Sequence, residues 1–212
     1  MNDAPQRSPE WHSERLGKIT ASRVACILPG KRGGYLAARQ SYLYSLAAER
    51  VGVILPERYP TDAMLRGIAL EPLAREALAY ELDATIEQVG FCRSSFAGGN
   101  AGASPDGIAT KLTVPDLHVG HRSLVELKCP EAIEFIRFSI GGEIDPDHYA
   151  QIHLGMMVTG LHSAYLGYYH PEFPKPMVAR CVWRDEEYSA RLHAEIEKSE
   201  LEICGIVRRL QS

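Results

Sequence analysis

Two short stretches hold residue types suited to hydrolytic chemistry: AGASPDGIATK over 101–111 and LVELKCP over 124–130. Residues i and i+2 of a strand share a face, so Glu126 and Lys128 point one way and Leu127 the other. The turn Ser104-Pro105-Asp106-Gly107 is rigid and presents Asp106 at a fixed place. If the strands around it pair, Asp106 meets Glu126. Two carboxylates converging in a partly buried place repel each other unless something neutralises them. A hard divalent cation such as Mg²⁺ does so, with oxygen ligands from Asp106, Glu126 and the Leu127 carbonyl. Lys128 beside it can orient or deprotonate a water, or stabilise charge on a phosphate. The competing reading is an ordinary salt bridge on a sheet face. The rigid turn, and Pro130 directly after the strand, favour the metal site.

Two further polar residues have less distinctive settings. Glu71, in RGIALEPLAREAL over 66–78, is a third carboxylate; it equally suits the start of a helix, where an acid complements the dipole. Gln151, in DHYAQIHLG over 147–155, sits near a helix start and taken alone reads as a surface glutamine.

These residues need a scaffold. Residues 1–10 read as a flexible arm. A lead-in segment and helix follow over 11–28, with Thr20 or Ser22 as its cap. PGKRGG at 29–34 is a loop, and 35–50 a helix. A helix over about 64–83 is interrupted or restarted at Pro72, which either pushes Glu71 towards extended backbone or opens a helix there. Strands are expected at 86–93, 104–110 and 123–128, the last two as a hairpin. Helices fit 131–139 and 147–160, strands 163–169 and 177–183, and a long amphipathic helix 185–209. The expected architecture is one α/β domain over 1–212, its catalytic core at about 64–183, with a central sheet flanked by helices.

The 212 residues suffice for one sizeable core, and 45% apolar and 24% charged residues are ordinary for a globular protein. No apolar run nears the roughly 20 residues that span a bilayer, and the polar start lacks a signal peptide's apolar region. A cytoplasmic protein without a membrane partner is therefore expected. The five cysteines form no CxxC pair, which argues against a disulfide framework, a zinc site or an iron–sulfur cluster; they are expected as small buried hydrophobes. The net charge of −4 offers no general basic footprint, although carboxylates gathered around a cation lower the total without blocking a basic groove elsewhere.

With these residues assembled, the sequence resembles the phage lambda exonuclease family, also called the YqaJ-type viral recombinase nucleases. The likeness rests on W-H-x-x-R-L-G-x-I-T-A-S at 11–22, G-x-x-x-E at 67–71 and S-P-D-G at 104–107. It continues through L-x-E-L-K-C-P at 124–130, F-x-x-G-G near 138–142, HYAQ at 148–151 and R-D-E-x-Y at 184–188. The resemblance implies a restriction-endonuclease-like PD-(D/E)xK core with a central mixed β-sheet. It implies a homotrimeric ring that threads double-stranded DNA and digests one strand 5′→3′. Mononucleotides are released and a 3′ overhang is left for recombination with a single-strand annealing protein. The cofactor would be two Mg²⁺ per site, with Mn²⁺ as a substitute.

Residue by residue, the resemblance makes Asp106, Glu126 and the Leu127 carbonyl metal ligands and Glu71 the acid of the second metal position. Lys128 handles the attacking water, supported by Gln151. Arg15, Ser22 and Ser104 match a pocket for the terminal 5′-phosphate. Lys31 and Arg32 lie where the family reaches the DNA groove, and otherwise read as solvated loop charges. Met64 and Leu65 lie where it wedges the duplex end, the competing reading for Leu65 being core packing. The loop around residue 30 is shorter than in the lambda protein, and the insert 111–122 lengthens the hairpin. The rival readings are an endonuclease on the same core, which would cut closed circles, and a non-catalytic DNA-binding recombination scaffold, which would have no need of Lys128.

Overall fold

A computed structural model describes residues 4–30, 33–56, 59–110 and 121–212. The groove candidates Lys31 and Arg32, and most of the 111–122 insert, lie outside the described residues.

The chain begins with α1 (Pro9–Arg15), capped by the Ser8 hydroxyl on the Trp11 N–H. Over 11–28 the sequence predicts an entry segment and then a helix capped at Thr20 or Ser22; the entry segment instead carries part of a short helix of its own, and the helix that follows is 3₁₀. Gly17 adopts φ +67°, a left-handed conformation that stops a helix. A Cβ there would also lie 2.8 Å from Arg50 Cγ. Strand β1 (Ile19–Thr20) and a 3₁₀ segment (Ala21–Ile27) follow, so neither Thr20 nor Ser22 caps an α-helix. The arm expected over 1–10 is also corrected where it is described. The Gln6 amide donates to the Val89 and Pro105 carbonyls, and Arg7 pairs with Glu71.

Helix α2 (Ala37–Arg50) leads to α3 (Asp62–Leu82). Helix α3 runs straight through Pro72, contrary to the expected break. Losing the Pro72 N–H costs roughly 3 kcal/mol. Packing of the fully buried Ala74 and Leu78 against Val125, Leu127 and Tyr165 offsets it. Glu71 therefore stays helical. The Thr61 hydroxyl accepts from the Met64 N–H and caps this helix. Thr61→Ala should lower unfolding stability by about 1 kcal/mol. Denaturant titration checks this, and no change in midpoint would show that the cap contributes nothing.

The stretch expected as one strand at 86–93 splits into β2 (Thr85–Glu87) and β3 (Cys92–Arg93), which join different sheets. Strands β4 (Ala101–Ala103), β5 (Gly107–Thr110) and β6 (Ser123–Lys128) follow. Next come α4 (Ala132–Ser139), α5 (Pro146–Thr159), β7 (Ser163–Tyr169), β8 (Met177–Trp183) and α6 (Glu186–Gln211).

Among the described residues the main sheet runs β2–β5–β6–β7–β8 and a small one β1–β4–β3. β5 and β6 form the expected antiparallel pair, with Gly107 opposite Val125. β6 and β7 are parallel, joined by the α4–α5 crossover, and β8 returns antiparallel. The sheet is thus mixed. It packs α3 on the Val125/Leu127 face and α4 and α5 on the Leu124/Leu166 face. A further core joins the 3₁₀ segment, α2, α5 and α6.

Of the cysteines only Cys92 is buried, while Cys181 is exposed and the other three lie between. The expectation of buried small hydrophobes fails for the rest, because they sit at the margins of the helical and sheet layers. No helix among the described residues is long and apolar enough to cross a membrane.

Candidate active site

β6 brings Glu126 and Lys128 to one face, as the alternation predicts. The Lys128 ammonium donates to Glu126 Oε1 at 2.7 Å and to Gln151 Oε1 at 3.0 Å. The Gln151 amide donates to the same Glu126 oxygen at 2.5 Å. Gln151 is no surface residue; its amide closes a three-member network with the buried Glu126. Gly155, one helical turn later, makes this reach possible. A Cβ at that position would lie 2.6 Å from Leu124 Cδ1, so its absence lets α5 approach β6.

Asp106 reaches the same site from the start of β5. Its backbone N–H bonds the Val125 carbonyl, and its Oδ2 accepts from the Leu127 N–H at 2.7 Å. Burial, then the charge of Glu126, holds its carboxyl well above the ordinary Asp range. Burial alone would lower Lys128, but Glu126 and Asp106 outweigh it and hold the ammonium above its usual value.

Glu71, buried on α3, is gripped by Arg75 four residues on and by Arg7. Arg75 also donates from Nε to the Asp106 carbonyl at 3.0 Å, tying α3 to the Asp106 turn. The spacing Glu71–Arg75 is an i, i+4 helical pair, a signal in the sequence for a partner that its motifs did not reveal.

The donors here (carboxylates, a backbone carbonyl and an amide) are hard oxygen ligands of the kind a divalent cation takes. An Asp106 carboxyl pushed up by burial and by a second carboxylate lacks positive charge, and the residues fit such an ion. Among the described residues, no three acidic, His or Cys side chains converge on one point. Glu71 is turned onto its arginines and Glu126 onto Lys128 and Gln151.

The phosphate-pocket candidates also come together. Arg15 donates to Ser104 Oγ at 3.1 Å and to Ser22 Oγ at 3.4 Å. Trp11, one turn earlier on α1, stacks under the Arg15 guanidinium at 4.2 Å and donates from Nε1 to Ser104 Oγ at 2.9 Å. The Ser104 oxygen thus accepts twice, which leaves its hydroxyl proton to donate. Trp11 lies in a quoted motif, but only the folded chain shows that it orients both Arg15 and Ser104. A cavity of about 180 Å³ runs from Trp11, Arg15, Ser22 and Ser104 to Asp106, Glu126 and Gln151. A second cleft, of about 360 Å³, shares Ser22 and Asp106 and opens past Leu127, Lys128, Glu71, Met64 and Arg7.

Met64 and Leu65 stand 57% and 50% exposed at the start of α3. The core-packing reading of Leu65 is corrected by this exposure, and Met64 beside it lines the second cleft. Other groups escaped the sequence reading. His148 accepts or donates at Nδ1 with the Tyr168 hydroxyl at 2.8 Å. Burial, then Lys128, lowers its pKa to about 4, so it is neutral near pH 7. Burial, then Asp106, pushes the Cys129 thiol up to about 11. Cys129 is therefore a protonated wall of the cleft and no nucleophile.

Fold and site together define a DNA-hydrolysing nuclease with a restriction-endonuclease-like core. The chain belongs to the family of the YqaJ-like viral recombinase domain, whose sequence model matches residues 10–162. Among solved structures it is similar to an alkaline exonuclease (LHK-Exo) from Laribacter hongkongensis. Identity is 28% over 96% of each chain, with a TM-score of 0.81, or 0.83 for LHK-Exo in complex with dAMP. A phage-related exonuclease from Haemophilus somnus 129PT shares the fold at 13% identity, over 92% of this chain and 96% of that one, with a TM-score of 0.67. A search among curated proteins returned no match.

Proposed function

We propose that this chain is a Mg²⁺-dependent, processive 5′→3′ exonuclease acting on double-stranded DNA ends that carry a 5′-phosphate. It releases mononucleotides and leaves a 3′ overhang for strand annealing. The observation that carries this reading is the single cavity joining the Arg15–Ser22–Ser104 pocket to Asp106, Glu126 and Gln151. Among the described residues no carboxylate is bonded to Arg15, so its charge is available to an anion. A terminal phosphate carries more charge than an internal diester, and a guanidinium with hydroxyl donors holds it by charge-assisted hydrogen bonds. An end-binding pocket adjoining the hydrolytic residues selects the first phosphodiester over an internal one.

Asp106, Glu126 and the Leu127 carbonyl would hold a divalent cation, with Glu71 towards a second, and such ions would supply Lewis acidity and offset the charge of the phosphate. Lys128, fixed by Glu126 and Gln151, presents its ammonium to the attacking oxygen and the phosphate. Gln151 holds Glu126 and Lys128 in register. Met64, which lines the second cleft, and its exposed neighbour Leu65 suit an apolar wedge against the last base pair. A homotrimeric ring in the cytoplasm, working with a single-strand annealing protein, completes the proposal; Mn²⁺ would substitute for Mg²⁺.

Digestion with Mg²⁺ of three duplexes tests this: linear with 5′-phosphates, linear without them, and closed circular. Fast mononucleotide release from the phosphorylated linear form is expected. Cutting of the circle would identify an endonuclease instead.

A further inference from the structure

Glu71 is one carboxylate with two guanidiniums. Arg75 is 13% exposed, sits one turn away on the same helix and also holds the Asp106 carbonyl. That partner already neutralises Glu71 from inside the fold. Arg7 is the surplus cation, 45% exposed, reaching the other oxygen of Glu71 from the N-terminal segment. It lines the 360 Å³ cleft together with Lys128, Leu127, Asp106 and Met64.

The backbone is built to deliver Arg7 there. Ser8 N–H bonds the Pro5 carbonyl and closes a turn. Arg7 occupies the third position with φ +70°, where Gly or Asn is the usual resident. Strained backbone of this kind persists where surrounding contacts over-determine it, and it clusters at functional sites. The over-determining contacts are on hand: Gln6 is pinned to Val89 and to Pro105, the residue before Asp106. The segment is thereby clamped to the Asp106 turn itself.

We infer that Arg7 is a DNA-binding residue that holds a backbone phosphate of the strand lying in the Lys128 cleft. Arg15 binds the terminal phosphate on the other side of Asp106. A guanidinium has five N–H donors, and the ion pair with Glu71 leaves the fork able to bridge to a phosphate oxygen. The inference rests on the end-directed nuclease reading above. It differs from that reading in assigning an internal phosphate, so the contribution of Arg7 does not depend on how the DNA end is finished.

The test is binding of a short labelled duplex, with a 5′-phosphate or a 5′-hydroxyl, followed by fluorescence anisotropy in EDTA over a range of salt. Arg7→Gln should weaken both duplexes alike, by roughly tenfold, and reduce the slope of log K against log salt by about 1. Arg15→Gln should weaken the phosphorylated duplex alone. Arg7→Lys keeps the cation and should retain the slope, which keeps the test intact if a thermal melt shows the Gln variant to be poorly folded. Unchanged affinity and slope in Arg7→Gln would reduce Arg7 to a counter-ion of Glu71 and overturn the inference. A loss confined to the phosphorylated duplex would place Arg7 in the Arg15 pocket and equally overturn it. If the unmodified protein binds neither duplex, the nuclease reading fails first and this inference with it.

Discussion

Lys128→Ala is expected to lower turnover by on the order of 10²–10⁴-fold, the range supplied by a well-placed proton-transfer group. Duplex binding should stay close to that of the unmodified protein. The Lys128 ammonium is 2.7 Å from Glu126 and 3.0 Å from Gln151, and the residue lines the second cleft. Removing it leaves Glu126 with one hydrogen-bond donor fewer and the attacking oxygen without a fixed cation. Arg15 and Arg7, the proposed phosphate contacts, are untouched. Single-turnover cleavage measured beside anisotropy binding separates the two effects. If the variant digests DNA at the normal rate, the assigned role is wrong; if cleavage and binding fall together, Lys128 is a binding residue. Lys128→Arg should not rescue turnover, since a planar fork cannot take the place of a compact ammonium held between Glu126 and Gln151.

The second large effect concerns Arg15. Arg15→Gln should abolish the preference for 5′-phosphorylated over 5′-hydroxyl ends. That preference corresponds to roughly 10–150-fold if one charge-assisted hydrogen bond of about 1.5–3 kcal/mol is lost. The geometry argues for a change in discrimination rather than in chemistry. Arg15 bonds Ser22 and Ser104, not Glu126 or Lys128. Trp11 would still orient the Ser104 hydroxyl. Initial rates on both ends, compared between the unmodified protein and the variant, provide the measurement. Equal losses on the two substrates would show that Arg15 supports the fold of the site rather than reading the phosphate.

Much of the site was legible before folding, because strand alternation and turn chemistry are local. The register of Glu126, Leu127 and Lys128 follows from period-two geometry alone, and the Pro–Asp–Gly turn fixes Asp106 within a few residues. Strands β7 and β8 have the expected bounds, since apolar runs closed by turns leave little choice. The failures share one cause. Nothing within the window 11–28 says that Gly17 lies against Arg50, and nothing within 86–93 says that Val89 accepts from Gln6; the entry segment holds part of a helix of its own, and the expected strand is divided between two sheets. Pro72 is the reverse case: the local rule calls for a break, and the burial of Ala74 and Leu78 against the sheet overrides it.

The sequence by itself determined the candidate residues, carboxylates and a lysine about one strand and a guanidinium with two hydroxyls, and an order of motifs that marks the family. Tertiary structure decided what surrounds them. It placed Gln151 inside the site by letting α5 approach through Gly155, and set Trp11 under Arg15. It left Met64 and Leu65 exposed, Met64 on the wall of the cleft, and clamped the supposed arm so that Arg7 faces Glu71. These facts depend on which surfaces pack together across tens of residues of chain. That choice is made by the burial of whole helix and sheet faces, which no short motif encodes.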